Sequence, residues 1–102
     1  MKKTVILDNL ATKKLSTFSI EVRAKFNDLF EILSKVGKLE MPFAKKIGNQ
    51  LFEIRIKHRV QWRAIYAYIL KNQVVILSAF QKKTQKIPKK ELTKALKRLK
   101  KY

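Results

Sequence analysis

Residues 51–80 hold three apolar segments, Leu51 to Lys57, Gln61 to Leu70 and Val74 to Phe80, separated by gaps short enough to demand tight turns. Along the first, and over Gln61 to Ala64 at the start of the second, apolar residues alternate with polar or charged ones, the period of strands with one covered face. That alternation tests the register. If His58-Arg59-Val60 is a three-residue loop, Phe52 faces Tyr66, Ile54 faces Ala64 and Ile56 faces Trp62. Every member of that face is apolar. A two-residue loop would oppose Ile54 to Arg63, which the alternation rejects.

The accepted register has a consequence on the other face. Arg55 sits opposite Arg63 there, and Lys57 opposite Gln61. Like charges directly across a ladder are destabilising. Such a pair persists when solvent screens it or when an anion belongs between its members. With Lys71-Asn72 as the second turn, Arg63 pairs with Phe80 and Lys82 emerges beside Gln61. Lys57, Arg55, Arg63 and Lys82 then surround one patch, with Glu53 as the nearest acid. A phosphate-binding constellation is one reading of that patch, and a solvated polar sheet face is the other.

Charge favours the first. The 102 residues carry a net charge of +18. Residues 1–40 hold eight basic and five acidic groups (+3), whereas 41–102 hold seventeen basic groups and two acids, Glu53 and Glu91 (+15). Ten of those cations fall in the stretch from Gln81 to Tyr102, where the third strand runs into QKKTQK and a lysine-rich helix. A platform of that kind can aim its cations at a polyanion, and nucleic acid is the polyanion to expect. Binding should weaken steeply with salt through counterion release. A lysine-rich solubilising surface explains a net charge of a few units, not one of this size.

The remaining elements are read from period and caps. Thr4 to Leu7 is a short strand candidate, and Asn9 to Leu15 a helical turn or two. Val22, Phe26, Leu29, Phe30, Leu33 and Val36 fall on one helical face, with Ser19 as N-cap, Glu21 in the first turn and Gly37 at the stop. Arg23, Asp28, Glu31 and Lys35 take the opposite face, the last two as an i,i+4 pair. This helix is expected to cover the sheet, and Pro42 and Gly48 mark a loop before the strands. Lys89 to Lys101 reads as a final helix with Pro88 near its first turn. Its stripe is Leu92, Ala95, Leu96 and Leu99, leaving Lys90, Lys94, Lys97, Arg98 and Lys101 toward solvent or a partner. That stripe has no aromatic residue, and the neighbouring sheet offers it a better home than a membrane surface.

Length and composition predict one domain over residues 1–102, with no linker among two glycines and two prolines. Zero cysteines exclude disulfides, cysteine-based zinc sites and thiol nucleophiles, and fit a reducing cytoplasm. The apolar run after Met1-Lys2-Lys3 stops at Asp8, so no signal peptide is expected, and no run is long enough to cross a membrane. The expected location is cytoplasmic, without cofactor, metal or membrane.

The second half resembles a known family. Leu51-Phe52-Glu53-Ile54-Arg55-Ile56, then Trp62-Arg63-Ala64-Ile65-Tyr66, then Leu77-Ser78-Ala79-Phe80-Gln81-Lys82-Lys83-Thr84-Gln85-Lys86-Ile87-Pro88 is similar to the HigB-type branch of the RelE/ParE toxin superfamily, many of whose members are phage-derived. That branch shows an LxElR strand, a YRxxY strand and an aF-KKT-K-P segment before a helix rich in Lys and Ala. The resemblance is strongest from about Lys45 to Lys101. Trp62 stands where Tyr is usual, an apolar exchange compatible with the fold.

The resemblance implies an α+β, RelE-like fold: N-terminal helices on a twisted antiparallel sheet of three or four strands, plus a C-terminal helix. It implies a toxin of a type II toxin-antitoxin system, an endoribonuclease that cleaves mRNA at the ribosome and inhibits translation. The implied partners are mRNA, the ribosome and a cognate antitoxin, HigA-like with a helix-turn-helix domain. Arg55, Arg63, Lys82 and Lys83 match the family's basic active-site positions; the register had already brought three of them to one face. With the RNA 2′-OH as nucleophile no metal is required, and guanidinium forks suit the phosphate oxygens. Lys82 or Lys83 could then act as acid or base.

Lys57, His58, Lys86, Lys89, Lys90 and Tyr102 are candidate RNA contacts. His58, the single histidine, could be a base or a solvent-exposed turn residue. Glu53 suits a structural ion pair better than proton transfer, and Tyr102 a base contact or a fraying end. Tyr66 and Trp62 belong to the core face. Two other functions stay open: a ParE-like gyrase poison, which needs no nuclease residues, and a module that binds nucleic acid without cutting it.

Overall fold

The computed structural model describes residues 2–48, 50–83 and 86–102. In chain order the elements are β1 (Thr4–Leu7), α1 (Asn9–Leu15), α2 (Ile20–Val36), β2 (Ala44–Lys46), β3 (Phe52–His58), β4 (Val60–Ile69), β5 (Gln73–Lys82) and α3 (Lys89–Leu99). The strands form one sheet in the order β1-β5-β4-β3-β2. Its pairings are antiparallel except that β1 runs parallel to β5. The α+β expectation holds, but the sheet has five strands and is mixed. The added strand β2 lies in the stretch read as a loop, and at three residues it is too short for alternation to register.

α2 forms where its caps predict. Ser19 Oγ accepts from the Val22 amide at 3.3 Å, and Gly37 ends the helix at φ 90° with its N–H bonded to Leu33 O. Seventeen residues make a rod of roughly 25 Å, enough to carry the chain across five strands spaced at about 4.8 Å. That crossing joins β1 on one edge to β2 on the other. Val22, Phe26, Leu29, Phe30 and Leu33 bury against Ile54, Ile56, Ala64, Tyr66 and Ile76. Val36, assigned to the same stripe, is instead 51% exposed where the chain turns away at Gly37. Trp62 packs on Phe18 with ring centroids 4.7 Å apart and donates its Nε1–H to His58 O, so it is a packing residue as expected.

α3 covers part of the opposite face, where Ala95, Leu92 and Leu99 meet Ile65, Ala67, Val75, Leu77 and Phe80. Two residues depart from the expected stripe. Leu96 is half exposed, and Arg98 turns inward to donate to Leu77 O at 2.7 Å.

The reason lies in a bulge. Ile65 pairs with Ser78 but Tyr66 pairs with Ile76, leaving Leu77 without a partner on β4. Its carbonyl takes the Arg98 guanidinium instead, satisfying a group that would otherwise be stranded. The bulge also corrects the second turn. The turn holds three residues, Leu70-Lys71-Asn72, between paired Ile69 and Gln73, with Leu70 at φ 52°. It is one residue longer than expected, and the extra residue at Leu77 restores the register beyond it. The first hairpin keeps its expected register, with Arg59 at the apex at φ 68°.

Candidate nucleic-acid interface

On the α3 side of the sheet, at the end nearest the β3–β4 hairpin, the polar residues collect as alternation requires. Arg55 lies opposite Arg63, Lys57 opposite Gln61, and Lys82 beside Gln61. Lys83 follows directly on Lys82 and is exposed. The expected patch of Arg55, Lys57, Arg63 and Lys82 therefore assembles on one face.

Its interior differs from a simple cluster of cations. Glu53 is buried between the two arginines: Arg63 Nε lies 3.5 Å from Glu53 Oε2, and Arg55 Nε 3.8 Å from Glu53 Oε1. The anion between the opposed arginines is the chain's own carboxylate, so their pairing does not by itself call for a bound phosphate. The expected structural role of Glu53 as an ion-pair partner is what the geometry delivers.

The two arginines are also unequal. The Arg63 side chain is 3% exposed, and its Nη1 donates to Trp62 O at 2.9 Å and to Gln61 Oε1 at 3.1 Å. Burial lowers its pKa from the ordinary value, Glu53 raises it and Arg55 lowers it; a guanidinium stays charged throughout. The Arg55 side chain is 36% exposed and makes no side-chain hydrogen bond among the described residues. Arg55 is the arginine a ligand can touch, and Arg63 is the charge beneath it.

Beside Arg55 and Lys57, a cavity of about 310 Å³ opens where β3 extends past the end of β2. Lys25, Asp28, Leu29 and Phe43 complete its lining. Lys25 brings an α2 cation to the site, which no motif announces. Its position three residues before Asp28 on the polar side of α2 was the available signal.

Other candidates lie elsewhere. His58 is half-buried on the opposite face, in a cavity with Ser19, Glu21 and Trp62 at the start of α2. The fold does not bring it to the arginines. Lys86, Lys89 and Lys90 are exposed where the chain leaves β5 and enters α3, at the Lys82 end of the sheet. Thr84 and Gln85 of the QKKTQK segment lie outside the described residues.

Tyr102 lies beyond the far end of α3, a helix of roughly 16 Å, and donates to Asp8 Oδ1 at 2.8 Å. Asp8 is fully buried and caps α1 by accepting from the Leu10 amide at 3.1 Å. Lys101 Nζ and Arg98 Nε approach the same carboxylate at 3.4 and 3.9 Å. Burial pushes the Asp8 carboxyl up, but the bonds from Tyr102 and Leu10 together with Lys101 outweigh it and hold its pKa low. Tyr102 is thus a clasp, not a fraying end. Nothing near Asp8 in sequence signals this contact across 94 positions.

Among the described residues no helix is long and apolar enough to cross a membrane. The chain superposes on a mutant of the E. coli toxin RelE in the free state with a TM-score of 0.75 and 17% identity, covering 97% of this chain and 99% of that one. It is similar also to the RelBE2 toxin-antitoxin complex of Mycobacterium tuberculosis (TM-score 0.63, 20% identity, 80% of this chain and 100% of that one). The YoeB dimer of Staphylococcus aureus matches with a TM-score of 0.63 and 19% identity, over 82% of this chain and 100% of that one. These likenesses establish the RelE-like fold. No curated protein sequence matches the chain. The model of the phage-derived Gp49-like proteins matches residues 13–100, and the chain belongs to that family.

Proposed function

We propose that this protein is the toxin of a type II toxin-antitoxin system and cleaves mRNA at the ribosome without a metal. The observation that carries the reading is the cationic end of the sheet, where Arg55, Lys57 and Lys82 share one face with buried Arg63, Lys83 follows directly, and Arg55 and Lys57 border an open cleft, on a RelE-like fold.

Cleavage proceeds by attack of the RNA 2′-oxygen on the adjacent phosphorus. The new P–O bond closes a 2′,3′-cyclic phosphate while the bond to the 5′-oxygen breaks. A group must take the 2′-OH proton and another must return one to the 5′-oxygen. Arg55 clamps the phosphate oxygens, whose charge grows in the transition state, and Arg63 adds its field from below. Lys82 and Lys83 stand at the mouth of the site, where an ammonium can donate to the leaving oxygen. Lys57, Lys86, Lys89 and Lys90 hold the flanking backbone.

The partner is an acidic antitoxin with a helix-turn-helix domain, and the site of action is the cytoplasm. Toxin-antitoxin complexes among the similar structures support an antitoxin partner.

The test is a brief induction of wild type and Arg55→Ala in cells lacking antitoxin. New 5′ ends are mapped on a translated reporter and on a copy without a start codon. New ends on the translated copy alone, lost in the variant, are expected. Growth arrest with no new ends on either would sink the nuclease and leave gyrase poisoning as the working model.

A further inference from the structure

Glu53 is costly to bury at the interface. Its carboxylate is buried on a face that also carries two opposed arginines, and its Oε2 has no hydrogen-bond partner among the described residues. Arg63 Nε, 3.5 Å away, is equally without one, as is Ser78 Oγ one strand over on the same face. Unsatisfied buried polar atoms are uncommon, and three on one sheet face call for an explanation beyond packing. An ion pair contributes little net stability when buried, and an apolar residue of similar volume would serve the fold as well.

The geometry offers that explanation. Glu53 meets both arginines through Nε, and two carboxylate oxygens 3.5 and 3.8 Å from two Nε atoms leave the Arg55 Nη groups unengaged beside the cleft. Arg63 pairs with the buried carboxylate from one side, and the carboxylate orients Arg55 on the other. We infer that Glu53 is a positioning residue, which sets the Arg55 guanidinium toward the phosphate; this rests on the mRNA-cleaving reading given above. Glu53 touches neither the RNA nor the reacting atoms. Removing it leaves Arg55 charged and present but free to swing through its rotamers.

A double-mutant cycle tests this. Wild type, Glu53→Gln, Arg55→Ala and the double variant are compared in two readouts: the rate of mRNA cleavage on programmed ribosomes, and affinity for a single-stranded 2′-deoxy oligonucleotide that cannot be cut. Glu53→Gln should slow cleavage by roughly 100-fold, the scale on which a misplaced clamp costs, and weaken the oligonucleotide. In the Arg55→Ala background it should change either readout by no more than about twofold, because the residue it positions is gone. Equal losses in both backgrounds would overturn the inference and leave Glu53 a structural residue. So would full activity of Glu53→Gln.

If Glu53→Gln fails to fold, Glu53→Asp takes its place, since it keeps the buried charge and withdraws it by one methylene. If wild type itself does not cleave, the nuclease reading fails and the oligonucleotide affinities alone decide the role of Glu53.

Discussion

Tyr102→Phe removes one oxygen atom and tests whether α3 is held at its far end by Asp8. The Tyr102 hydroxyl donates to a fully buried carboxylate at 2.8 Å. A hydrogen bond to a charged group contributes about 1.5–3 kcal/mol. Tyr102 is 45% exposed, so water can partly replace its hydroxyl, and Lys101 and the Leu10 amide still serve Asp8. The expected loss is therefore below that range, about 1 kcal/mol, or roughly 4–8 °C in Tm for a domain of this size.

The pH dependence adds a second check with two ends. The Asp8 carboxyl titrates below its ordinary 3.8 in the folded chain, so its stabilisation is whole above that value and drains as pH falls through the folded-state pKa. Burial raises the Tyr102 hydroxyl above its ordinary 10.0, reinforced by the hydrogen bond to Asp8 and its negative charge. That contribution is whole below 10.0 and drains as pH rises through the folded-state value. The difference between wild type and Tyr102→Phe should accordingly form a plateau at neutral pH and shrink at both extremes. Thermal unfolding followed by circular dichroism at a series of pH values measures it. A variant Tm within about 1 °C of wild type at neutral pH, or a difference that does not vary with pH, would refute the clasp.

Gly37→Ala forces a Cβ into φ 90° at the end of α2 and should lower stability by about 1–2 kcal/mol in urea unfolding with an unchanged m-value. Salt dependence reads the interface directly. If Arg55, Lys57, Lys82 and Lys83 each neutralise a phosphate, log K for a single-stranded 2′-deoxy oligonucleotide should fall against log salt with a slope near about −3. Lys82→Gln with Lys83→Gln should flatten that slope by about 1.4 in anisotropy titrations.

The sequence by itself determined what short-range physics controls. The caps of α2, the strand at Thr4–Leu7, the helix at Asn9–Leu15 and the β3–β4 register all follow from local period and turn length. The cationic face came with that register, because a strand's two sides are dictated once one side is apolar. The second hairpin shows where local reading stops. Its turn is one residue longer than the local pattern predicts, and the extra residue at Leu77 restores the register before Arg63.

Tertiary structure decided the rest. The parallel seat of β1 beside β5 and the three-residue β2 depend on partners from distant parts of the chain. Whether Val36 faces out and Arg98 faces in depends on where a helix ends relative to the sheet beneath it. Burial separates Arg63 from Arg55, although alternation gives both the same face. The Asp8–Tyr102 clasp closes across almost the whole chain. Each of these turns on desolvation or on a contact between residues far apart in sequence. Periodicity reports which face a residue takes; only the packed structure reports what covers that face.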